Sequence, residues 1–423
     1  MPTKIMRLND VREQLLRGRW PRKRGLDAEL LNYVDGIISD VRERGDKALI
    51  ELTEKFDGVR LDIDRLRVGQ EEIKEAYNRV GERQLSAIET AKRRIQNFEM
   101  SIISKIGHCY VDDLGVRVWL RSQPIESVGC YVPGGRFPYP STLLMTALPA
   151  KVAGVQRVII CTPPLRDGSI HPLILVAADM CGVNEIYRVG GAQAIAAMAY
   201  GTESIRPVEK IVGPGNQYVM AAKLLVSRDA PIDHPAGPSE IMVLADGAAD
   251  PRHVALDIIS QMEHGPGSIA VLLTTSMDLA GRVYESLLHL AGDAWLLVAE
   301  NMDEAIDFVN EFAPEHLEII AEGAHELAAR IRSAGLILIG DSTPVSLSDY
   351  CLGTNHVIPT GGYGRVHQPL SILDFIKLTY VVESPPEALR RLSESAITLA
   401  ESEGLVNHAL AIIERVKGCL GRK

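Results

Sequence analysis

Apolar side chains recur at three- and four-residue steps in two stretches between about residues 26 and 105, which is the spacing of amphipathic helices. From residue 128 onward the pattern changes to short β-branched runs, each followed by a glycine or proline turn and then by a helical stretch. RVIICTPP, EIYRV and EKIV open a first series of such units, and EIMVLAD, SIAVLLTT and WLLVAE open a second. Repeated strand–helix units predict parallel sheets that are covered by helices.

The two series predict an α/β fold with two Rossmann-like open parallel-sheet domains, a helical N-terminal arm and a helical C-terminal tail. The predicted boundaries are 1–24 for the arm, 25–130 with 239–370 for a discontinuous main domain, 131–238 for a domain inserted into it, and 371–423 for the tail. Gly404 interrupts the helical pattern of the tail, so we expect two helices with a bend between them.

Charge and composition narrow the function. The 423 residues include 45 Lys and Arg against 55 Asp and Glu, a net charge of −10, which disfavours nucleic acid as a partner. No apolar run reaches the roughly 18 residues of a membrane span, so no membrane association is expected. The N-terminal residues show no apolar stretch after their charges, so we expect no secretion signal and a cytoplasmic location.

The cysteines and an N-terminal basic run offer little chemistry. Six cysteines are scattered without a C-x-x-C pair, which predicts neither a zinc ribbon nor a disulfide framework, and each is interpreted as a small buried side chain. The run RGRWPRKRG, residues 17–25, could grip a phosphate, but a solvated linker or a subunit-contact arm is the favoured interpretation.

Parallel sheets place their working residues in loops at the carboxyl ends of strands, and two glycine turns are expected there. VGGAQAIAA and VGPGNQYVMAA each open a helix with glycines, where backbone N–H groups can bind an anion such as a diphosphate. Neither matches the dinucleotide fingerprint, so a tight strand–helix turn is an equally good interpretation from the pattern alone.

Four further sites carry polar side chains suited to catalysis or metal binding. Gln261 and His264 lie three residues apart at a helix end and share one face, although a surface glutamine and a terminal histidine are the simpler interpretation. Glu315 and His316 supply two proton acceptors, unless they are a solvated helix start. Asp349 follows a strand in a polar loop. His408 would be about 140° from Glu403 on an unbroken helix, so only the break at Gly404 lets them share a ligand.

Taken together, these segments resemble the histidinol dehydrogenase family. The resemblance covers about residues 25 to 415 and rests on several motifs in the family's order and spacing: YVPGGRFPYPSTLLMTALPAKVAGV, VGGAQAIAA, GPGN, AGPSE, SQMEHGP, APEH, SDYCLGTNH and EGLVNH. It implies an aldehyde-dehydrogenase-like arrangement of the two α/β domains. It also implies an enzyme that uses zinc, one ion per site, and NAD to oxidise L-histidinol to L-histidinal and then to L-histidine.

The resemblance also implies roles for individual residues. The metal ligands fall on Gln261, His264, Asp349 and His408, and the proton acceptors on Glu315 and His316. The NAD contacts fall on Tyr131, Gln193 and Asn216. The substrate contacts fall on Ser239, Gln261, His264, His316, Asp349, Glu403 and His408. In the family the last helical segment enters the partner's site, so a homodimer with shared active sites is implied, in which Glu403 and His408 come from the other subunit.

Three alternatives compete with this interpretation. A related zinc- and NAD-dependent enzyme could act on another small polar alcohol such as a sulfopropanediol, although Glu403 suits a cationic amine better than a sulfonate. An aldehyde-dehydrogenase-like enzyme would use Cys130 or Cys161 as a nucleophile. A non-catalytic metal- and nucleotide-binding module would not need the Glu315–His316 pair. His234 in SRDAPIDHP and Cys130 beside Tyr131 depart from the family pattern we expect, which bears on substrate fit.

Overall fold

The computed structural model describes residues 4–16, 26–107, 109–134, 137–235, 237–265, 267–288 and 294–420, so the basic run at 17–25 lies outside the described residues. The α-helices are α1 Leu8–Leu16, α2 Ala28–Arg44, α3 Asp46–Asp57, α4 Gln70–Tyr77, α5 Glu82–Ile103, α6 Pro140–Ala153, α7 Pro172–Met180, α8 Gly191–Tyr200, α9 Gln217–Val226, α10 Pro251–Met262, α11 Met277–Leu288, α12 Met302–Phe312, α13 Ala324–Ala329, α14 Val345–Ser348, α15 Pro386–Ser402 and α16 Val406–Leu420. Within these residues, no helix is both long enough and apolar enough to cross a membrane.

The strands of the described residues belong to three sheets. They are β1 Lys4–Arg7, β2 Cys109–Val111, β3 Arg117–Pro124, β4 Ser127–Tyr131, β5 Arg157–Thr162, β6 Glu185–Arg188, β7 Lys210–Val212, β8 Glu240–Ala245, β9 Ile269–Thr274, β10 Ala294–Val298, β11 His316–Ile320, β12 Leu336–Ile339 and β13 Ile376–Glu383. Contacts between residues divide the chain into two units, the first made of Met1–Met100 with Ile125–Phe375 and the second of Ser101–Pro124 with Ile376–Lys423.

The larger sheet of the first unit is parallel, with the strand order β1-β10-β9-β8-β11-β12 across the described residues. Its central strands are continuous apolar runs such as IMVLA, because both of their faces are buried. Helices α10 and α11 pack on one face and α12 packs on the other. The edge strand β1 lies inside the predicted helical arm, where four residues are too short to give a periodic signal before α1 begins.

A smaller parallel sheet of the same unit has the order β6-β5-β4-β7 in the part of the chain that is described. It begins at Ser127, four residues before the predicted start of the inserted domain. Helices α2 and α3 share a core with α8 and α9, so they cover this sheet rather than the main one to which the prediction assigned them. The physical reason is that α8 and α9 are apolar on most of their surface and need a second layer above them.

The second unit contains the antiparallel sheet β13-β3-β2 and the helix pair α15 and α16. Strand β13 lies in the tail that was predicted to be helical throughout. The predicted bend is confirmed, because α15 ends at Ser402, Gly404 adopts a left-handed conformation with φ 75°, and α16 begins at Val406.

The confirmed part of the fold prediction is therefore its class, an α/β fold with two open parallel sheets. Each sheet alternates strands with helices, as the β-branched runs and the intervening helical stretches indicated.

Candidate active site

The candidate catalytic residues lie at the amino-terminal edge of the larger sheet. His316 is the first residue of β11, and Ser239, which is half-buried, directly precedes β8 beside it. Gln261 lies near the end of α10, a helix that returns from the opposite edge of the sheet. These candidates therefore do not lie at the carboxyl ends of the strands of this sheet, where the sequence led us to expect working residues. The connecting helices bring their own C-terminal ends to the other edge.

Glu315 and His316 are held by one backbone segment. The backbone N–H of Glu240 donates to Glu315 Oε2 at 2.7 Å, and the carbonyl oxygen of Glu240 lies 3.2 Å from His316 Nδ1. Because a carbonyl only accepts, Nδ1 carries the proton of the neutral ring and Nε2 keeps its lone pair. His316 Nε2 is buried and has no hydrogen-bond partner within the described residues. In the neutral ring, Nε2 is thus the atom that can accept a proton from a ligand.

These two side chains are buried, with Glu315 5% and His316 3% exposed. The alternative interpretation of this segment as a solvated helix start is therefore wrong. Pro314 ends the preceding turn and a strand follows, so Glu315 and His316 do not sit 100° apart on a helix. Glu315 Oε2 lies 3.6 Å from His316 Nδ1. Burial lowers the pKa of His316, but the nearby carboxylates of Glu315 and Asp349 outweigh it and raise the pKa to about 9, so near neutral pH the ring must first lose its Nε2 proton before it can act as a base.

Three of the predicted metal ligands belong to the first unit. Gln261 is 1% exposed and its Nε2 lies 3.5 Å from Asp349 Oδ2, while Asp349 Oδ1 lies 4.0 Å from His316 Nε2. His264 lies one turn after Gln261, with Nδ1 3.3 Å from the Gln261 carbonyl oxygen. The structure therefore brings Gln261, Asp349 and His316 together and places His264 in the adjacent turn. Among the described residues, no three His, Cys, Asp or Glu side chains form a group that could hold a metal.

Glu403 and His408 belong to the second unit. Glu403 caps the end of α15, His408 lies in the first turn of α16, and both are exposed. The break between these helices exists as expected. Their roles as substrate and metal ligands stay predictions.

Two residues near this site had no predicted role. Glu240 orients both Glu315 and His316 through its backbone, and its place directly after Ser239 in AGPSE was the available signal. The ring of His356, in the GTNH segment, lies with Nδ1 3.0 Å from the Asp349 carbonyl oxygen and Nε2 3.0 Å from Thr142 Oγ1. Burial lowers the pKa of His356, so its ring is neutral and orients the loop that carries Asp349.

The three predicted NAD contacts lie at the carboxyl ends of the smaller sheet's strands, where the sequence placed them. Tyr131 ends β4, and its hydroxyl oxygen accepts a hydrogen bond from the Gly191 N–H at 3.1 Å. Burial raises the pKa of Tyr131 to about 12, so the hydroxyl keeps its proton for donation. Gln193 in α8 is 1% exposed, and neither atom of its amide has a partner in the described part of the chain.

Asn216 is the N-cap of α9. Its Oδ1 accepts from the N–H groups of Tyr218 and Val219 at 3.0 and 3.1 Å, and the residue is exposed. The cap uses the amide oxygen and leaves the amide NH₂ group for a ligand.

The cysteine-nucleophile alternative fits the structure poorly. Cys130 and Cys161 are fully buried. Burial raises the pKa of Cys130 to about 12 and raises the pKa of Cys161 further, so neither thiol forms a thiolate readily.

Comparison with known proteins decides between the remaining interpretations. A sequence model described as histidinol dehydrogenase matches residues 21–416. The chain is 43% identical over 422 residues to the histidinol dehydrogenase of Methanosarcina mazei, covering 97% of each protein. It is 46% identical over 404 residues to that of Methanothermobacter thermautotrophicus, covering 92% of this chain and 94% of the relative.

The chain belongs to the histidinol dehydrogenase family. A crystal structure of histidinol dehydrogenase from Elizabethkingia anophelis agrees, with a TM-score of 0.92, 36% identity and coverage of 99% of this chain and 98% of the other. Family membership confirms the resemblance seen in the sequence and the prediction of an NAD-dependent oxidoreductase of amino-acid biosynthesis. It does not favour the sulfopropanediol alternative.

Proposed function

We propose that this chain oxidises L-histidinol to L-histidinal and then to L-histidine in one site, with NAD as the oxidant and one zinc ion as the organising metal. The observation that carries the proposal is the pairing of an open, buried His316 Nε2 with a Glu315 carboxylate held by the same backbone segment. Two oxidations need two proton acceptors, and these two side chains supply them within one cluster.

Zinc fits the donor set of the site. The amide oxygen of Gln261, the imidazole of His264 and the carboxylate of Asp349 are donors that zinc accepts, and Gln261 and Asp349 already lie in contact. We assign these three side chains, with His408, to the metal. When bound, zinc supplies a positive template that orients the imidazole and amine nitrogens of the substrate. Asp349 is the single anion of this set, which leaves the bound site positive.

NAD fits the loops of the smaller sheet. The buried, unpartnered amide of Gln193 has polar atoms that a cofactor amide or hydroxyl could satisfy. Tyr131 keeps a hydroxyl proton, and Asn216 keeps an NH₂ group, beside it on the same sheet edge. When bound, NAD accepts one hydride in each oxidation.

The protein's own groups then move the protons. His316 Nε2 takes the hydroxyl proton of the alcohol, while Nδ1–H stays on the Glu240 carbonyl and fixes the ring. Glu315 removes a proton from the water that adds to the aldehyde. His316 takes the hydroxyl proton of the resulting hydrate in the second oxidation. Ser239 and Glu403 complete the proposed substrate contacts, with the carboxylate of Glu403 accepting a hydrogen bond from the amine.

A homodimer with shared sites completes the proposal. The second unit exposes large apolar side chains, including Tyr380 at 77% and Leu399 at 63%, as a surface that pairs with another chain would. We propose that the partner subunit donates Glu403 and His408 to each site. A cytoplasmic location belongs to the same proposal.

The test is NADH formation from L-histidinol by the purified enzyme, before and after chelation. We expect two NADH per histidinol, loss of activity with a chelator, and recovery when zinc is added back. One NADH per histidinol would contradict the second oxidation, and activity that survives full removal of metal would contradict the role of zinc.

A further inference from the structure

A buried ion pair lies beneath the loop that carries Asn216. Lys223 Nζ contacts the carboxylate of Asp233, and their side chains are 4% and 1% exposed. Lysine and aspartate are almost never buried this deeply unless they are paired, because each loses its hydration. An apolar pair of similar size would stabilise a core as well or better, so stability alone does not explain this ion pair. A role in positioning the neighbouring backbone does explain it.

Both charged groups hold the same residue, Gly213. Asp233 Oδ2 accepts a hydrogen bond from the Gly213 N–H at 2.9 Å, and Lys223 Nζ donates to the Gly213 carbonyl oxygen at 2.8 Å. Charge-assisted hydrogen bonds of this kind are stronger than neutral ones. The two main-chain polar groups of one glycine are thus fixed from two sides.

Gly213 occupies a position that only glycine fits. It directly follows β7 and has φ 118°, and an added Cβ would overlap the carbonyl oxygen of Tyr131. Asn216 is three residues further along the same turn. We call the ion pair of Lys223 and Asp233, with its two hydrogen bonds to Gly213, the clamp. By holding Gly213, the clamp fixes the backbone that contacts Tyr131 and the start of the turn that leads to Asn216.

Asp233 lies in the segment SRDAPIDHP, which contains the departure from the expected family pattern, whereas Lys223 belongs to α9. Asp233 follows Ile232, which bridges to Ile211 of β7, and the Asp233 N–H donates to the Ile211 carbonyl oxygen at 3.3 Å. His234, 2% exposed, follows it. Burial raises the pKa of Asp233, but Lys223 and His234 outweigh burial and lower it, so the carboxylate stays charged.

We infer that Lys223 and Asp233 are positioning residues for NAD, which hold the turn from Gly213 to Asn216 in its binding conformation without touching the cofactor. This inference rests on the proposed assignment of Tyr131 and Asn216 to NAD. Loss of the clamp should weaken NAD binding while the histidinol site, on the other sheet, keeps its geometry.

The experiment measures steady-state kinetics of the zinc-loaded full-length enzyme with NAD varied at saturating histidinol. Lys223→Met is expected to raise the KM for NAD by about tenfold, the effect of one lost charge-assisted hydrogen bond. The kcat and the KM for histidinol are expected to stay within about twofold. If Lys223→Met fails to fold, the double variant Lys223→Met with Asp233→Asn leaves no lone buried charge and keeps an acceptor for the Gly213 N–H.

A matched control separates positioning from stability. Arg157 and Glu185 form an ion pair at 2.7 Å with side chains 16% and 17% exposed, at the amino ends of β5 and β6 in the same sheet. Arg157→Met is expected to lower the Tm without raising the KM for NAD. A clamp variant that raises this KM no more than Arg157→Met, at comparable loss of Tm, overturns the inference.

Asn216→Asp distinguishes the two levels of the proposal. It keeps the oxygen that caps α9 and replaces only the NH₂ group assigned to NAD. If the KM for NAD rises in Asn216→Asp but not in Lys223→Met, the positioning role of Lys223 and Asp233 is contradicted and the assignment of Asn216 to NAD stands. If the KM for NAD rises in neither variant, the assignment of NAD to this turn is contradicted as well.

Discussion

The two ring nitrogens of His316 have different environments, because only one of them contacts the backbone of Glu240. Nδ1 is fixed on the Glu240 carbonyl oxygen, and Nε2 is left without a partner in the described residues, 4.0 Å from Asp349 Oδ1. The same residue holds Glu315 through its N–H. One peptide segment therefore aligns both proposed proton acceptors, which is an economical way to keep them in register during two successive oxidations.

Substitution of each acceptor separates the two oxidations. His316→Ala is expected to slow the oxidation of both L-histidinol and L-histidinal, because a positioned base contributes about 10²–10⁴-fold. Glu315→Gln is expected to slow mainly the histidinal step, since its amide oxygen can still accept the Glu240 N–H. The measurement is NADH formation with each substrate separately. Full activity in His316→Ala would exclude it as the base.

A second prediction at this scale concerns Glu318, which is fully buried two residues after His316 and lies near the carboxylate of Asp257 in α10. Neither carboxylate oxygen of Glu318 has a hydrogen-bond partner within the described residues. Burial, with the charge of Asp257, raises the pKa of Glu318 from 4.5 to about 9.

The sign of the pH dependence follows from this raised pKa. The native state binds the proton more tightly than the unfolded state, so its contribution to stability is complete below about pH 4.5 and is lost as pH rises toward 9. Glu318→Gln removes this loss, because its amide stays neutral. The free energy of unfolding, measured with urea at pH 6 and pH 9, is therefore expected to fall less for Glu318→Gln than for the unsubstituted protein. Parallel losses would contradict a protonated Glu318.

At the scale of elements, periodicity predicted the strand–helix units but not the edge of the sheet at which the candidate catalytic residues lie. The cofactor loops follow β6 and β7 directly, so the rule for carboxyl ends placed Gln193 and Asn216 well. Gln261 reaches its site through the full length of α10, and Asp349 through α14, so both return to the opposite edge. That return depends on helix length and packing, which no local pattern reports.

The secondary structure around Glu315 and His316 was missed for a related reason. After Pro314 the segment EHLEII is too short to distinguish a strand from a helix by periodicity. Its burial between β8 and β12 decides the matter. The strands β1 and β13 were missed likewise, because their pairing partners are far away in sequence.

Gly335, directly before β12, packs against the backbone of Glu315. Its N–H donates to the Pro314 carbonyl oxygen at 2.9 Å, and an added Cβ would overlap Ile358 and lie 2.7 Å from the Glu315 carbonyl oxygen. Gly335→Ala is expected to lower the free energy of unfolding by about 1–3 kcal/mol, because the added methyl group overpacks this site. It is also expected to lower kcat, because the backbone of Glu315 would have to move. The measurements are thermal unfolding and NADH formation from L-histidinol.

Gly281→Ala is the matched control. Gly281 lies inside α11, and an added Cβ there would meet nothing within 4 Å. Alanine is the better helix former by about 0.5–1 kcal/mol, so this variant is expected to be more stable with unchanged kcat. Unchanged kcat and stability in Gly335→Ala would show that Glu315 tolerates movement of its neighbour.

At the scale of the whole molecule, the predicted metal set spans the two units of the chain. Gln261, His264 and Asp349 belong to the first unit and His408 belongs to the second. Asp349 and His264 are the only His, Cys, Asp or Glu side chains among the three first-unit ligands. If His408 comes from a partner subunit, each active site needs residues from two chains.

The consequence is complementation between two inactive proteins. In a mixed dimer of His316→Ala and His408→Asn subunits, the site built on the intact His316 receives an intact His408 from its partner, whereas the other site carries both defects. Random exchange gives half mixed dimers with one good site each, so recovery of about a quarter of normal activity is expected. If His408 served the site of its own chain, each site of the mixed dimer would carry one defect and no activity would return.

A mixture of His316→Ala with Glu315→Gln provides the control, because both residues belong to the same first-unit cluster. Each site of that mixed dimer keeps one defect whichever subunit donates His408, so recovery is not expected. NADH formation from L-histidinal after co-expression or subunit exchange measures both mixtures, because His316→Ala and Glu315→Gln are both expected to slow the histidinal step. Recovery in the control would point to repair by unmixed protein, and its absence in both would place His408 in the site of its own chain. Only activity confined to the first mixture supports a site assembled from two chains, because that pattern requires the metal ligand and the base to come from different subunits.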